Sequence, residues 1–165
     1  MPRRLDPDRV AEVLPRLYRA ARAWTRSREE AEDLVQETIA RVLARPRFLR
    51  GQDELAYLLR AMRNTLISQS RAASSRPVTV PLIDEVSAGA RSSEDPAEAA
   101  EIRQVYDAIA ELPDDFRDAL IAVDVAGLSY GEAARTLKVA EGTVTSRLFR
   151  ARDRVARRLA GDGDQ

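Results

Sequence analysis

Arginine is the residue of this chain best placed to do chemistry. Of 27 basic side chains, 26 are Arg and one is Lys138; 27 acids balance them over 165 residues, for a formal net charge of zero. The balance is not uniform. From Arg41 to Arg76 eight arginines face two carboxylates (net +6), from Pro77 to Asp118 three face eleven (net −8), and from Glu141 to Arg158 six face two (net +4). Guanidinium groups in blocks suit phosphate oxygens and guanine edges, where planar bidentate contacts form. The same blocks also fit ordinary solvated helix faces. Cys and His are both absent. That removes disulfides, thiolate metal sites, cysteine nucleophiles and the commonest general base. No catalytic residue, metal ligand set or cofactor is assigned, and the chain is read as not an enzyme.

Three segments place these side chains where they could act. In Ser129 to Arg158 a short helical pattern, a tight turn and a longer basic helix follow one another, which is helix-turn-helix spacing. Val144 and Leu148 mark the inner face of the longer helix. Its outer face then presents Gly142, Thr143, Thr145, Ser146, Phe149 and Arg150, and later turns add Arg147, Arg152, Arg154, Arg157 and Arg158. Small polar residues at a helix start let the backbone enter a major groove, and arginine there reads guanine. In a second segment Arg60, Arg63, Asn64 and Arg71 share the polar side of a helix, with Tyr57 and Phe48 nearby. Cations interleaved with aromatics suit unpaired nucleic acid, and equally suit a core tyrosine beside solvated arginines. In a third, Glu32, Asp33, Gln36, Glu37 and Arg41 form an outer helix face, solvated or docked on a partner helix.

The elements behind them are helical almost throughout. Apolar spacing predicts a helix over Pro7 to Thr25 through Leu14, Leu17, Tyr18, Ala21 and Trp24. Ser27 and Glu30 form a capping box that opens a second helix, with Ala31, Leu34, Val35, Thr38, Ile39, Val42 and Leu43 inward and Pro46 as the stop. A loop, Arg45 to Gln52, leads to a third helix from Asp53 with Leu55, Leu58, Leu59, Met62, Leu66 and Ile67. After Arg71 the period fails, and Ser, Pro and Gly dominate to Glu94. Asp95 and Pro96 restart a helix with Ile102, Val105, Tyr106 and Ile109 as its stripe. Leu112-Pro113 breaks it. Phe116, Leu120 and Val123 carry the next helix to Gly127, and Ser129 with Glu132 caps a short one. Val144, Leu148, Ala151, Val155 and Leu159 line the last. The fold class is all-α: two small helical domains, residues 7–72 and 95–160, joined by a flexible acidic linker, 73–94.

AEDLVQETIARVL (Ala31 to Leu43), followed by a loop and YLLRAMRNTLISQSR (Tyr57 to Arg71), resembles region 2 of the bacterial RNA polymerase sigma factors. Glu111 to Leu159 resembles their region 4, and the two-domain layout resembles the extracytoplasmic-function (ECF) group. The resemblance implies that Asp33, Gln36, Glu37 and Arg41 dock on the clamp of the polymerase β′ subunit. It implies capture of the unpaired minus-ten strand by the loop Arg47 to Asp53 and the helix after it, through Phe48, Arg50, Tyr57, Arg60, Arg63, Asn64 and Arg71. It implies that the Gly142 to Arg154 helix, through Gly142, Thr143, Thr145, Ser146, Arg147, Phe149, Arg150 and Arg154, reads the minus-thirty-five element while its domain rests on the β flap. The acidic linker would thread the polymerase channels, and an anti-sigma factor would occlude these surfaces.

Against the family pattern, Tyr57 replaces a Trp, Ser68 an Asp, and Thr145 a base-reading Arg of some relatives. The turn Leu137-Lys138-Val139-Ala140 lacks the usual Gly and the capping Ser, so Lys138 is expected to be mildly strained and Ala140 to leave the helix uncapped. Two other functions fit parts of the chain. One is a stand-alone helix-turn-helix regulator. The other is a sigma mimic that titrates an anti-sigma factor. No apolar run reaches the roughly 18 residues of a membrane helix, and the first ten residues lack a signal-peptide core, so a cytoplasmic location without membrane insertion is expected.

Overall fold

The computed structural model describes residues 5–45, 54–74 and 95–161. In chain order the helices are α1 (Pro7–Trp24), α2 (Arg28–Ala44), α3 (Glu54–Ser74), α4 (Pro96–Ala110), α5 (Asp114–Leu120), α6 (Tyr130–Leu137) and α7 (Glu141–Leu159). A single π-helical turn, Ile121–Val125, extends α5. Of the predicted loop Arg45 to Gln52 all but Arg45 lies outside the described residues, as do residues 75–94 of the predicted linker. Residues 73 and 74, expected in the linker, still belong to α3.

Local signals start and stop most helices. The Asp6 side chain accepts from Asp8 N with Pro7 at the first helical position, and Asp95 accepts from Ala97 N with Pro96 in the same place. The Ser129–Glu132 box has both arms, Ser129 Oγ accepting at 3.2 Å and Glu132 Oε2 accepting from Ser129 N at 2.7 Å. The Ser27 box has one arm as expected. Its Glu30 carboxylate instead accepts from Arg26 N, one residue earlier. Ala140 caps nothing, and Lys138 stands at φ 57°, ψ 45°, in the left-handed region. Holding a side chain there costs about 1–2 kcal/mol. Lys138→Gly should therefore raise stability by about 0.5–1 kcal/mol after the added freedom of the unfolded glycine is offset. Urea denaturation checks this; a loss of stability would mean that the lysine is held by something other than the turn.

Helices α1, α2 and α3 pack mutually around Leu17, Leu34, Leu58, Leu59 and Met62, all fully buried. Helices α4, α5 and α6 pack on α7 or its neighbours around Ile121, Val144, Leu148 and Ala151. Four expected inward positions are corrected. Leu43 (46% exposed), Ile102, Val105 and Leu159 lie outward, because each sits near a helix end or on α4, the helix with the fewest neighbours. Among the described residues no helix is long and apolar enough to cross a membrane.

The two helical units share one continuous core and meet along a polar seam. The π-helical turn is closed by Ala126 N donating to Ile121 O at 2.8 Å. It delivers the carbonyls of Ala126 and Gly127 to the Arg16 guanidinium at 2.7 and 3.0 Å. Gly127 stands at φ +77°, where a side chain is strained, and a Cβ there would come within 2.8 Å of Arg16 Nη2 and displace that guanidinium. Nearby, the Arg22 guanidinium carbon lies 5.1 Å over the Tyr106 ring. Burial raises the Tyr106 phenol above its ordinary pKa, with Arg22 and Arg19 pulling it back.

Candidate nucleic-acid and polymerase interfaces

The start of α7 divides cleanly into a buried and an exposed face. Val144, Leu148 and Ala151 anchor its inner face. The outer face carries Gly142, Thr145, Ser146, Phe149 and Arg150, all exposed, with Thr143 partly so. A Cβ at Gly142 would meet nothing within 4 Å, so the backbone there is open to close contact. Thr145 Oγ1 donates to Glu141 O and Ser146 Oγ to Thr143 O, each at 3.1 Å. Their hydroxyl protons are thus committed to the helix, while their oxygens can still accept. Phe149 is 74% exposed, so its ring is open to contact on this face.

The arginines of α7 divide sharply. Arg147, expected to face DNA, lies partly buried with Nη2 3.0 Å from Asp115, tying α7 to α5. Arg154 lies with its guanidinium carbon 5.1 Å over the Phe116 ring. Arg152 makes a bidentate pair with Asp124 at 2.7 and 2.8 Å, which raises its pKa, and Arg158 pairs with Glu111 at 2.9 Å. Arg157 pairs with Asp153 within the helix. Among the described residues Arg150 is the α7 arginine without an ion pair or ring partner. The basic block thus spends most of its charge on its own unit, because the acids of α5 and the following turn lie opposite.

Helix α3 shows the same division. Asn64 and Arg71 are exposed, and Asn64 has no hydrogen-bond partner among the described residues. Tyr57 is half-buried against the core. Arg60 and Arg63, expected to be available to DNA, are drawn into the seam. Arg63 Nε donates to Asp118 Oδ2 at 2.8 Å, and Arg60 Nη2 donates to Arg135 O at 3.1 Å. Asp118 also accepts from Trp24 Nε1 at 2.9 Å. Reading the sequence alone missed this trio, since Trp24 reads as a core aromatic and Asp118 as one acid in a run. Phe48, Arg50 and the rest of their loop lie outside the described residues.

On α2, Asp33 and Gln36 are exposed. Glu37 is held by Arg41 at 2.5 Å and by Gln69 of α3, so it presents a fixed carboxylate beside them. Among the described residues no group of three or more His, Cys, Asp or Glu could hold a metal.

Comparison with known proteins gives this geometry a context. The sequence model of sigma-70 region 2 matches residues 9–76, and that of sigma-70 region 4 matches residues 102–155. The chain is 35% identical over 144 residues to the ECF RNA polymerase sigma factor SigM of Mycobacterium tuberculosis, covering 87% of this chain and 71% of that one. It is 35% identical over 159 residues to the ECF sigma factor EcfG of Rhodopseudomonas palustris, covering 94% and 86%. Among solved structures, the sigma factor RpoE of Bartonella quintana, crystallised with the anti-sigma factor NepR, superposes with TM-score 0.73 at 29% identity, over 94% of this chain and 97% of that one. CnrH, solved with the cytosolic domain of CnrY, gives TM-score 0.69 at 23% identity and shares the fold.

Proposed function

The chain belongs to the sigma-70 family of RNA polymerase sigma factors and to its ECF branch, and from that membership we propose how its residues divide between polymerase, duplex and separated strand. It is a non-enzymatic initiation factor that binds core polymerase and promoter DNA. In our reading residues 7–72 act as the region 2 unit and residues 95–160 as the region 4 unit. Asp33, Gln36 and Glu37, steadied by Arg41, dock on the β′ clamp. The α3 face with Asn64, Arg60, Arg63, Tyr57 and Arg71, with Phe48 and Arg50 ahead of it, takes the unpaired minus-ten strand. Gly142, Thr143, Thr145, Ser146, Phe149 and Arg150 read the minus-thirty-five duplex. Arg147 and Arg154 serve that helix indirectly, through Asp115 and Phe116. The protein works where core polymerase is, in the cytoplasm. An anti-sigma factor is a further partner in this reading, since the RpoE of Bartonella quintana was crystallised with one.

The observation that carries the duplex assignment is the bare outer face of α7, with unpaired Arg150 beside a 74%-exposed Phe149. Mixing the chain with core polymerase and a promoter library tests the whole reading. It is lost if no complex with core forms and no sequence yields a run-off transcript. A stand-alone regulator would instead shift duplex DNA equally well with and without core enzyme. Arg150→Ala should lower duplex affinity by about 1–3 kcal/mol at cognate sites, with selectivity relaxed at one base position. A smaller loss, uniform across sequences, would make Arg150 a phosphate contact.

A further inference from the structure

Arg152 is held from one side only. Its Nε donates to Asp124 Oδ2 at 2.8 Å and its Nη2 to Asp124 Oδ1 at 2.7 Å. This grip spends one edge of the planar guanidinium. Among the described residues no hydrogen bond uses Nη1 or the outer N–H of Nη2, although the Tyr130 phenol stands beside the group. Those N–H groups form a second fork, of the shape that takes two phosphate oxygens. The cation is also the outer partner of the pair, its side chain 50% exposed against 34% for Asp124. An ion pair this open contributes little to stability, and α7 is already anchored by Val144, Leu148 and Ala151.

The place of Arg152 on α7 gives the free fork something to meet. With about 3.6 residues per turn, Arg150 leaves the helix about 100° to one side of Phe149 and Arg152 about 60° to the other. Gly142, Thr145, Ser146 and Phe149 fall between them, and all four are exposed. The two arginines therefore bracket the face assigned to the duplex. A helix about 10–12 Å across fills a major groove about 12 Å wide, so side chains at its two edges meet the two phosphate walls. Arg147 has no such place. It leaves the helix beside the buried face and is tied to Asp115 there.

We propose that Arg152 is a further duplex contact, keeping Asp124 on its side edge while its free edge takes a backbone phosphate, so that Arg150 and Arg152 straddle the reading face and meet opposite walls of the groove. Asp124 is its positioning residue. A long side chain loses much of its freedom on binding, and here the carboxylate has fixed the fork before the duplex arrives. The proposal rests on the assignment of α7 to the duplex.

The test is binding of a random-sequence duplex pool by the full chain over a range of potassium chloride. Arg152→Ala is made in an Asp124→Asn chain, so that no carboxylate is left unpaired. Relative to Asp124→Asn alone it should weaken binding about tenfold, evenly across sequences, and flatten the slope of log affinity against log salt by about 0.9. Arg152→Gln replaces it if the alanine variant fails to fold. A loss of affinity with an unchanged slope makes the pair a structural tie and overturns the proposal, as does no loss at all. Arg152→Lys, with Asp124 in place, keeps the charge and loses the fork. It should hold the slope and bind about threefold more weakly. Wild-type affinity in the lysine variant would mean that charge alone suffices, which overturns the role given to Asp124. Arg150→Ala separates this inference from the reading beneath it. If Arg150 matters and Arg152 does not, the second contact alone is wrong. If neither changes affinity or selectivity, the duplex assignment of α7 falls and the contact with it.

Discussion

Truncating Leu148 to Ala will remove about 2–5 kcal/mol from the second helical unit, the range for deleting a buried leucine that leaves a cavity. Leu148 is 1% exposed and lies one turn beyond Val144, the other anchor of α7. The helices around it, α5 with seven residues and α6 with eight, are too short to persist without that packing. A domain of this size has only about 5–15 kcal/mol to lose. Urea titration followed by circular dichroism should show the drop. Trp24, the only tryptophan, offers a second readout, because its indole N–H is bonded to Asp118 across the seam. Its fluorescence should report loss of the second unit at lower urea than in the wild type, although the ring itself belongs to α1. A destabilisation under about 1 kcal/mol would mean that the site collapses around the missing side chain, with the outer face of α7 supported some other way.

The parts of this molecule that were legible in the sequence are those decided within a few residues. Ser129 and Glu132 close their box within three positions, the equally spaced Ser27 and Glu30 close one arm of theirs, and Gly127 and Gly161 end helices at positive φ. The strain at Lys138 and the missing cap at Ala140 followed from side-chain chemistry alone. What escaped was set by distance along the chain. Trp24 and Asp118 are 94 residues apart, and no local pattern distinguishes that aspartate from Asp114 or Asp115. The charge of α7 was read from its own residues, yet Asp115, Asp124 and Glu111, brought opposite by the fold, take up Arg147, Arg152 and Arg158. The π-helical turn at Ile121–Val125 was invisible for a related reason. Its apolar residues fit an α period equally well, and the extra residue shows only where Ala126 and Gly127 present their carbonyls to Arg16. Ile102 and Val105 carry a helical stripe that the fold leaves partly uncovered, so periodicity identified the helix and overstated its burial.

Asn64→Ala should separate strand capture from every structural explanation more cleanly than any other change on α3. Arg63 and Arg60 are bonded across the seam, so replacing either alters the seam as well as any DNA contact. Asn64 is exposed and unbonded among the described residues, and alanine is the better helix former. Stability should therefore stay within about 0.5 kcal/mol of wild type. An asparagine amide that pairs with an exposed base edge contributes about 1–3 kcal/mol, the larger figure corresponding to more than a hundredfold in an equilibrium constant. That loss should fall on the open complex, read by permanganate reactivity of unpaired thymines at the start site. In the proposed reading, initial binding of the closed duplex by the holoenzyme rests on α7 and should be unaffected. The sign follows from selective binding: a ligand shifts an equilibrium only by what it contributes to one state and not the other, and an unpaired base exists in the open state alone. Equal losses in duplex binding and in opening would place Asn64 on the backbone instead, and no loss in either would leave α3 reading nothing through that side chain.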